Sequence, residues 1–147
     1  TSKIAAVLKP PSFSTFGGNP VSSAAALATL RVIQKSRLAE NARVMGAKLH
    51  AGLEELQRKY PVIGDVRGLG LMQGAEFVGP GKEPDPATTS RVVEAARRRS
   101  VLIGLGGMWG SVLRIAPPLI VEDGHIDELL DVLDQSLSEA TGKPGRA

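Results

Sequence analysis

The chain contains no cysteine, which excludes disulfides and thiolate metal sites. Its two histidines, His50 and His125, stand far apart in sequence, so no metal centre is expected. No apolar run reaches the roughly 18 residues of a membrane-crossing helix, and no basic segment followed by an apolar signal core opens the chain. No membrane partner is expected, and a cytoplasmic location is the expectation. The net charge of +3 comes from arginines scattered along the chain, with one knot at Arg97, Arg98 and Arg99 rather than a long basic run. Nucleic acid is not expected as a partner.

What is present is an ordinary globular composition. Charged residues make up 22% and apolar residues 42% of the 147 positions, enough for one core and far from the disordered classes. Ile4 to Leu8 is a short apolar run stopped by Pro10-Pro11, the pattern of a buried strand leading into a loop. A strand at the very start, with nothing before it to pair with, reads as the back part of a larger structure. In "STFGGNPVSSAAALATLRVI" Asn19 suits an N-cap and Pro20 the first helical position. The following Val21 to Ile33 is apolar on nearly every side and predicts a helix buried all round.

A second helix is marked by Leu38, Ala42, Met45, Leu49, Leu53 and Leu56, recurring at helical spacing and ending near Lys59 ahead of Pro61. The period then changes. "VIGDVRGLGLMQGAEFV" predicts one or two strands with a turn or bulge at Gly68 to Gly70. Asp85-Pro86 opens an amphipathic helix over Ala87 to Arg99. "VLIGLGGMWGSVLRIAPPLIV" predicts two short strands around a glycine-rich loop, and a last helix on Ile126, Leu129, Leu130, Leu133 and Leu137 follows Asp123. The tail "TGKPGRA" is expected to fray. The order of elements predicts a small α/β layer, helices over a mostly antiparallel sheet.

Two places could carry chemistry. At Thr15-Phe16-Gly17-Gly18-Asn19-Pro20 a helix N-terminus offers free N–H groups and partial positive charge, glycines allow close approach to the backbone, and a hydroxyl adds a donor. The set suits a phosphate. It equally suits a tight turn with a capped helix, and spacing alone leaves both open. In "SVLRIAPPLIV" strand alternation puts Arg114 on a partly apolar face with Val112 and Ala116, and Pro117-Pro118 stiffens the backbone beyond it. Its guanidinium could grip a carboxylate bidentately, or close an internal ion pair, or lie exposed at a sheet edge.

Other features have ordinary explanations. "GLGLMQG" and "GLGGMWG" come near a dinucleotide fingerprint, but both run into strand-like sequence rather than opening a helix. No phosphate loop, H-E-x-x-H or G-x-S-x-G occurs. The lone Trp109, beside Met108, reads as a partly buried packing residue. Arg97 to Arg99 complements the dipole at a helix end.

Taken in order, "STFGGNPVSSAAALATLRVI", "GDVRGLGLMQGAEFV" and "LRIAPPLIVEDGHIDELL" resemble the C-terminal part of the class III pyridoxal-phosphate-dependent aminotransferases, of the alanine-glyoxylate type. The resemblance covers almost the whole chain. It implies a fold type I transferase: residues 1–35 as the end of the cofactor-binding large domain, 36–140 as the small C-terminal α/β domain, and 141–147 as tail. It implies pyridoxal 5'-phosphate as cofactor, an amino acid or amine as donor, a 2-oxo acid as acceptor, and a homodimer. In the family the threonine of T-F-G-G-N-P reaches across the dimer to the cofactor phosphate. That makes Thr15 a phosphate ligand in trans, with Phe16, Gly17 and Gly18 shaping the loop. The arginine of R-x-A-P-P-L binds the substrate carboxylate, the role implied for Arg114. The Gly68 to Glu76 strand segment is structural by the same likeness.

The chain also departs from that pattern. The family's Schiff-base lysine lies upstream of the strand matching Ile4 to Leu8, and neither Lys3 nor Lys9 holds its position. Ser12 stands where relatives often carry histidine. The ring-stacking residue and the acid facing the pyridine nitrogen belong to the N-terminal large domain. No catalytic residue is therefore expected among these residues, and the chain alone is expected to be inactive. The competing expectation is a non-catalytic truncated or split chain, kept as an assembly partner or an inert remnant.

Overall fold

The computed structural model describes residues 1–7 and 13–142, and the chain divides into two compact units, Thr1–Ser36 and Arg37–Ala147. The first unit holds α1 (Ser2–Ala5) and α2 (Pro20–Lys35). Ile4 and Ala5, at the start of the Ile4 to Leu8 run expected to be a strand, thus lie in a helical turn. The Ala5 N–H donates to the Thr1 carbonyl and the Ala6 N–H to that of Ser2, both at 3.0 Å. A strand must pass its ladder of hydrogen bonds to a neighbour, and the first unit has no strand among the described residues. The backbone groups are satisfied locally instead. Leu8, Lys9, Pro10, Pro11 and Ser12 lie outside the described residues.

Helix α2 starts as its sequence predicts. The Asn19 Oδ1 accepts from the Ser22 N–H at 3.0 Å, and Pro20 occupies the first turn. The expected burial is not found: no residue of α2 is buried, and Val21 is 80% and Leu30 56% exposed. An all-round apolar helix is hidden only by protein on every side, and the described residues do not supply it.

The second unit contains α3 (Leu38–Lys59), β1 (Ile63–Leu69), β2 (Met72–Phe77), α4 (Pro86–Arg98), β3 (Gly104–Gly106), β4 (Val112–Ile115) and α5 (Asp123–Thr141). In α3 the expected stripe faces inward, with Leu49 and Leu53 almost fully buried, each worth roughly 1.5–3 kcal/mol. The hairpin turns at Gly70-Leu71, where Leu69 pairs with Met72, and its ladder shifts between Ile63 and Asp65. Asp85 caps α4, its Oδ1 accepting from the Thr88 N–H at 2.9 Å. Hydrogen bonding from Thr88, side chain and then backbone, holds the Asp85 carboxyl below its ordinary range. Helix α5 runs through Thr141 to Gly142, so the expected tail is helical at its first residue; residues 143–147 lie outside the described ones.

The sheet order is β1-β2-β4-β3, and all neighbours are antiparallel. Ala75, Phe77, Leu113 and Ile115 point from the sheet into a core shared with Leu49, Leu53, Val92, Ile126, Leu133 and Leu137 from the helices. Helix α5 packs against both α3 and α4. This is the expected α/β layer, a small antiparallel sheet covered by helices. On the opposite sheet face Arg67, Leu69, Met72 and Arg114 are exposed. Trp109, expected to be partly buried packing, is 66% exposed in the β3–β4 connection, a glycine-flanked loop that turns its side chain to solvent.

One approach explains a glycine inside α3. A Cβ at Gly46 would stand 2.3 Å from the Gly70 carbonyl carbon and oxygen, so the helix meets the hairpin turn backbone to backbone.

Candidate functional site

In the first unit Thr15, Phe16, Gly17 and Gly18 form one turn ahead of α2. The Gly17 N–H donates to the Ser14 carbonyl at 3.2 Å. Asn19 locks the turn to the helix: its Nδ2 donates to the Phe16 carbonyl at 2.7 Å while its Oδ1 caps Ser22. Gly18 has φ +74, the left-handed region that favours glycine, and nothing within 4 Å of where its Cβ would be. The turn therefore presents bare backbone beside a helix N-terminus. Thr15 is exposed, and its hydroxyl has no hydrogen-bond partner among the described residues. A free hydroxyl, an open glycine backbone and a positive helix end form a donor set that fits a phosphate group.

In the second unit the pairing register assembles the surroundings of Arg114. Arg67 pairs with Gly74, Gly74 with Arg114, and Arg114 with Gly104, so these four residues form one rank across all four strands. Cross-strand partners share a face, which puts both guanidinium groups on the side away from the helices, their strands about 10 Å apart across β2. Their electrostatic situations differ. Asp65, then Glu76, hold Arg67 fully charged by hydrogen bonds, with Glu76 at 2.7 Å. Arg114 has no ion pair or hydrogen bond among the described residues, and it is exposed rather than buried.

Arg114 also borders a cleft of about 610 Å³, walled by Ile103, Ile115, Pro117 and Pro118 and edged by Glu122 and Glu128. An exposed guanidinium with no anion among the described residues is a fitting receptor for a small carboxylate. The loop beyond β4 is fastened from α3. The Asn41 Nδ2 donates to the carbonyls of Leu119 at 2.8 Å and Val121 at 2.9 Å. The Glu122 N–H donates to the His125 Nδ1 at 3.2 Å, closing the start of α5 below the same loop.

Sequence reasoning singled out Thr15, Phe16, Gly17, Gly18 and Arg114. The first four share one turn of the first unit, and Arg114 belongs to the second. It missed Gly74 and Gly104, the neighbours of Arg114 in its rank, and Asn41, the fastener of its loop. A polar residue on the otherwise apolar stripe of α3 was the signal available for Asn41. For the glycines there was none, because register between distant strands is not written in either strand alone. Arg97, Arg98 and Arg99 are spent on structure: Glu94 pairs with Arg97 at 2.7 Å, and Glu139 on α5 pairs with Arg98 and Arg99. No group of three or more His, Asp or Glu among the described residues could hold a metal ion, and no helix among them is long and apolar enough to cross a membrane.

Residues 1–137 match the profile of the family described as aminotransferase class-III. The chain belongs to the class III aminotransferases. It is 46% identical over 142 residues to alanine–glyoxylate aminotransferase 2 homolog 2, mitochondrial, of Arabidopsis thaliana, which covers 95% of this chain and 30% of that protein. Among solved structures it is similar to a phospholyase from Arthrobacter in complex with phosphoethanolamine, with 39% identity, TM-score 0.82, and coverage of 86% of this chain and 31% of that one. It is also similar to an amine transaminase from an uncultivated Pseudomonas species in its PLP-bound form, with 29% identity, TM-score 0.79, and coverage of 93% and 31%. The chain thus spans about 30% of the length of the relatives it matches. Its family is one of pyridoxal-phosphate enzymes, and its fold is that of pyridoxal-phosphate-dependent transaminases.

Proposed function

We propose that this chain is the C-terminal segment of a class III aminotransferase that moves an amino group from an amino acid or amine to a 2-oxo acid, as between alanine and glyoxylate. The Thr15 turn binds the phosphate of pyridoxal 5'-phosphate, reaching the cofactor of the other subunit in a homodimer. Arg114 binds the substrate carboxylate. The reactive lysine is contributed by residues outside these 147, and the segment alone does not catalyse.

Pyridoxal phosphate, when bound, supplies the carbonyl that takes up the amino group and the ring that accepts electrons. The residues of this chain bind and orient. The Thr15 hydroxyl and the open backbone at Gly18 donate to phosphate oxygens, fixing the cofactor at its polar end. The Arg114 guanidinium takes both oxygens of a carboxylate in a planar fork, which aims the amino group of the donor or the keto group of the acceptor at the reacting carbon.

One observation supports this reading most: of two arginines in the same sheet rank, Arg67 is satisfied by Asp65 and Glu76, whereas Arg114 stands at a cleft with no anion of its own among the described residues. The testing experiment uses the complete polypeptide that carries this segment. With pyridoxal phosphate it transfers nitrogen from L-alanine to glyoxylate. Thr15→Ala weakens cofactor binding roughly tenfold, as expected for one hydrogen bond to a charged group. Unchanged cofactor affinity in that variant removes the role given to Thr15.

A further inference from the structure

Arg114 has glycine on both sides in its rank, Gly74 on β2 and Gly104 on β3. The two are not equivalent. A Cβ at Gly104 would stand 3.2 Å from both Nε and Nη2 of Arg114. At Gly74 the nearest atom is Val112 Cγ1 at 3.4 Å, and no Arg114 atom is among the close ones. The Arg114 side chain therefore leans toward β3 and lays its charged end across the backbone of Gly104. The next glycine on that strand, Gly106, has its Cβ position 3.7 Å from the Arg114 Cβ, so β3 gives the arginine a smooth bed along its whole length.

Ordinary strand chemistry does not require glycine here. A strand interior gains from β-branched side chains and loses by glycine, and Gly104 is not among the residues of positive φ. The reason for a missing side chain is spatial. Any Cβ at residue 104 would have to push the guanidinium aside by a few tenths of an ångström, and a branched side chain by more.

We infer that Gly104 is a positioning residue for the substrate carboxylate: by carrying no side chain it sets the height and tilt of the Arg114 guanidinium over β3. This rests on the role proposed above for Arg114. A bidentate fork tolerates little misplacement, since both N–H groups must meet both carboxylate oxygens, and a shift near 1 Å can cost on the order of 100-fold in rate.

The test uses the complete enzyme with L-alanine as probe and four variants: Gly104→Ala, Gly104→Val, Arg114→Ala and the double Gly104→Val/Arg114→Ala. Gly104→Val raises KM for L-alanine about tenfold or more, and the single methyl of Gly104→Ala raises it a few-fold, in case the larger change impairs folding. Cofactor affinity stays within twofold in both, which a merely structural defect would not allow. In the Arg114→Ala background Gly104→Val adds less than a twofold change, because there is no guanidinium left to displace. Unchanged KM in both glycine variants, with KM raised by Arg114→Ala, overturns the inference and leaves the role of Arg114 standing. An equal rise from Gly104→Val in both backgrounds also overturns it. Unchanged KM in Arg114→Ala overturns the parent reading instead.

Discussion

The Tyr60 hydroxyl, buried at the end of α3, donates to the Asp134 carboxylate on α5 at 2.8 Å. The Lys59 ammonium meets the same carboxylate at 2.7 Å, so one acid ties the end of α3 to the middle of α5. Burial, followed by the bond to Asp134, pushes the Tyr60 phenol up from its ordinary value, and the bond to Asp134 pushes Lys59 up as well. Folded values raised above unfolded ones mean that this stability is complete below about pH 10 and is lost as pH rises through the folded values. Tyr60→Phe is expected to cost about 1 kcal/mol near neutrality. Urea melts of the 147-residue chain at pH 8 and pH 11 should show the gap between wild type and Tyr60→Phe narrowing at the higher pH.

Replacing glycine by alanine inside a helix ordinarily stabilises by roughly 0.5–1 kcal/mol. Gly124, in the first turn of α5 with nothing within 4 Å of its Cβ position, should gain at the low end of that range. Gly46 in α3 should reverse it, because its Cβ would collide with the Gly70 backbone at 2.3 Å. Forcing the helix from the turn should cost about 1–3 kcal/mol. Denaturation midpoints of the two variants should therefore move in opposite directions.

Helix α2 leaves Leu27 48% and Leu30 56% exposed, three residues apart on one face. Apolar surface of this kind drives association. The isolated 147-residue chain should sediment above monomer mass, and Leu27→Glu/Leu30→Glu should shift it back toward monomer while keeping the helix, since glutamate is a good helix former. A monodisperse wild-type monomer would count against this.

Local patterns in the sequence were readable because local rules decided them. The Leu38-to-Leu56 spacing became α3 with its stripe inward, Asn19-Pro20 and Asp85-Pro86 became capped helix starts, and the glycines of "GLGLMQG" became a hairpin rather than a nucleotide loop. Properties that depend on distant chain were not. Ile4 carries strand-like sequence but takes a helical turn, because a strand is made by its neighbour. The burial expected of α2 is not found among the described residues, because an apolar periodicity names no packing partner. At the candidate site the sequence marked Arg114 as a cation in need of an anion, yet its glycine neighbours, its contrast with Arg67 and its fastening through Asn41 all follow from pairings across the sheet and from α3.

The most direct measurement is the KM for L-alanine of the complete enzyme carrying Arg114→Ala, set beside its affinity for pyridoxal phosphate. Loss of a charge-assisted pair is worth roughly 1.5–3 kcal/mol, so KM should rise about 10- to 100-fold while cofactor affinity stays within twofold. An unchanged KM, or equal loss of cofactor and substrate affinity, would contradict the assignment of Arg114 to the substrate carboxylate.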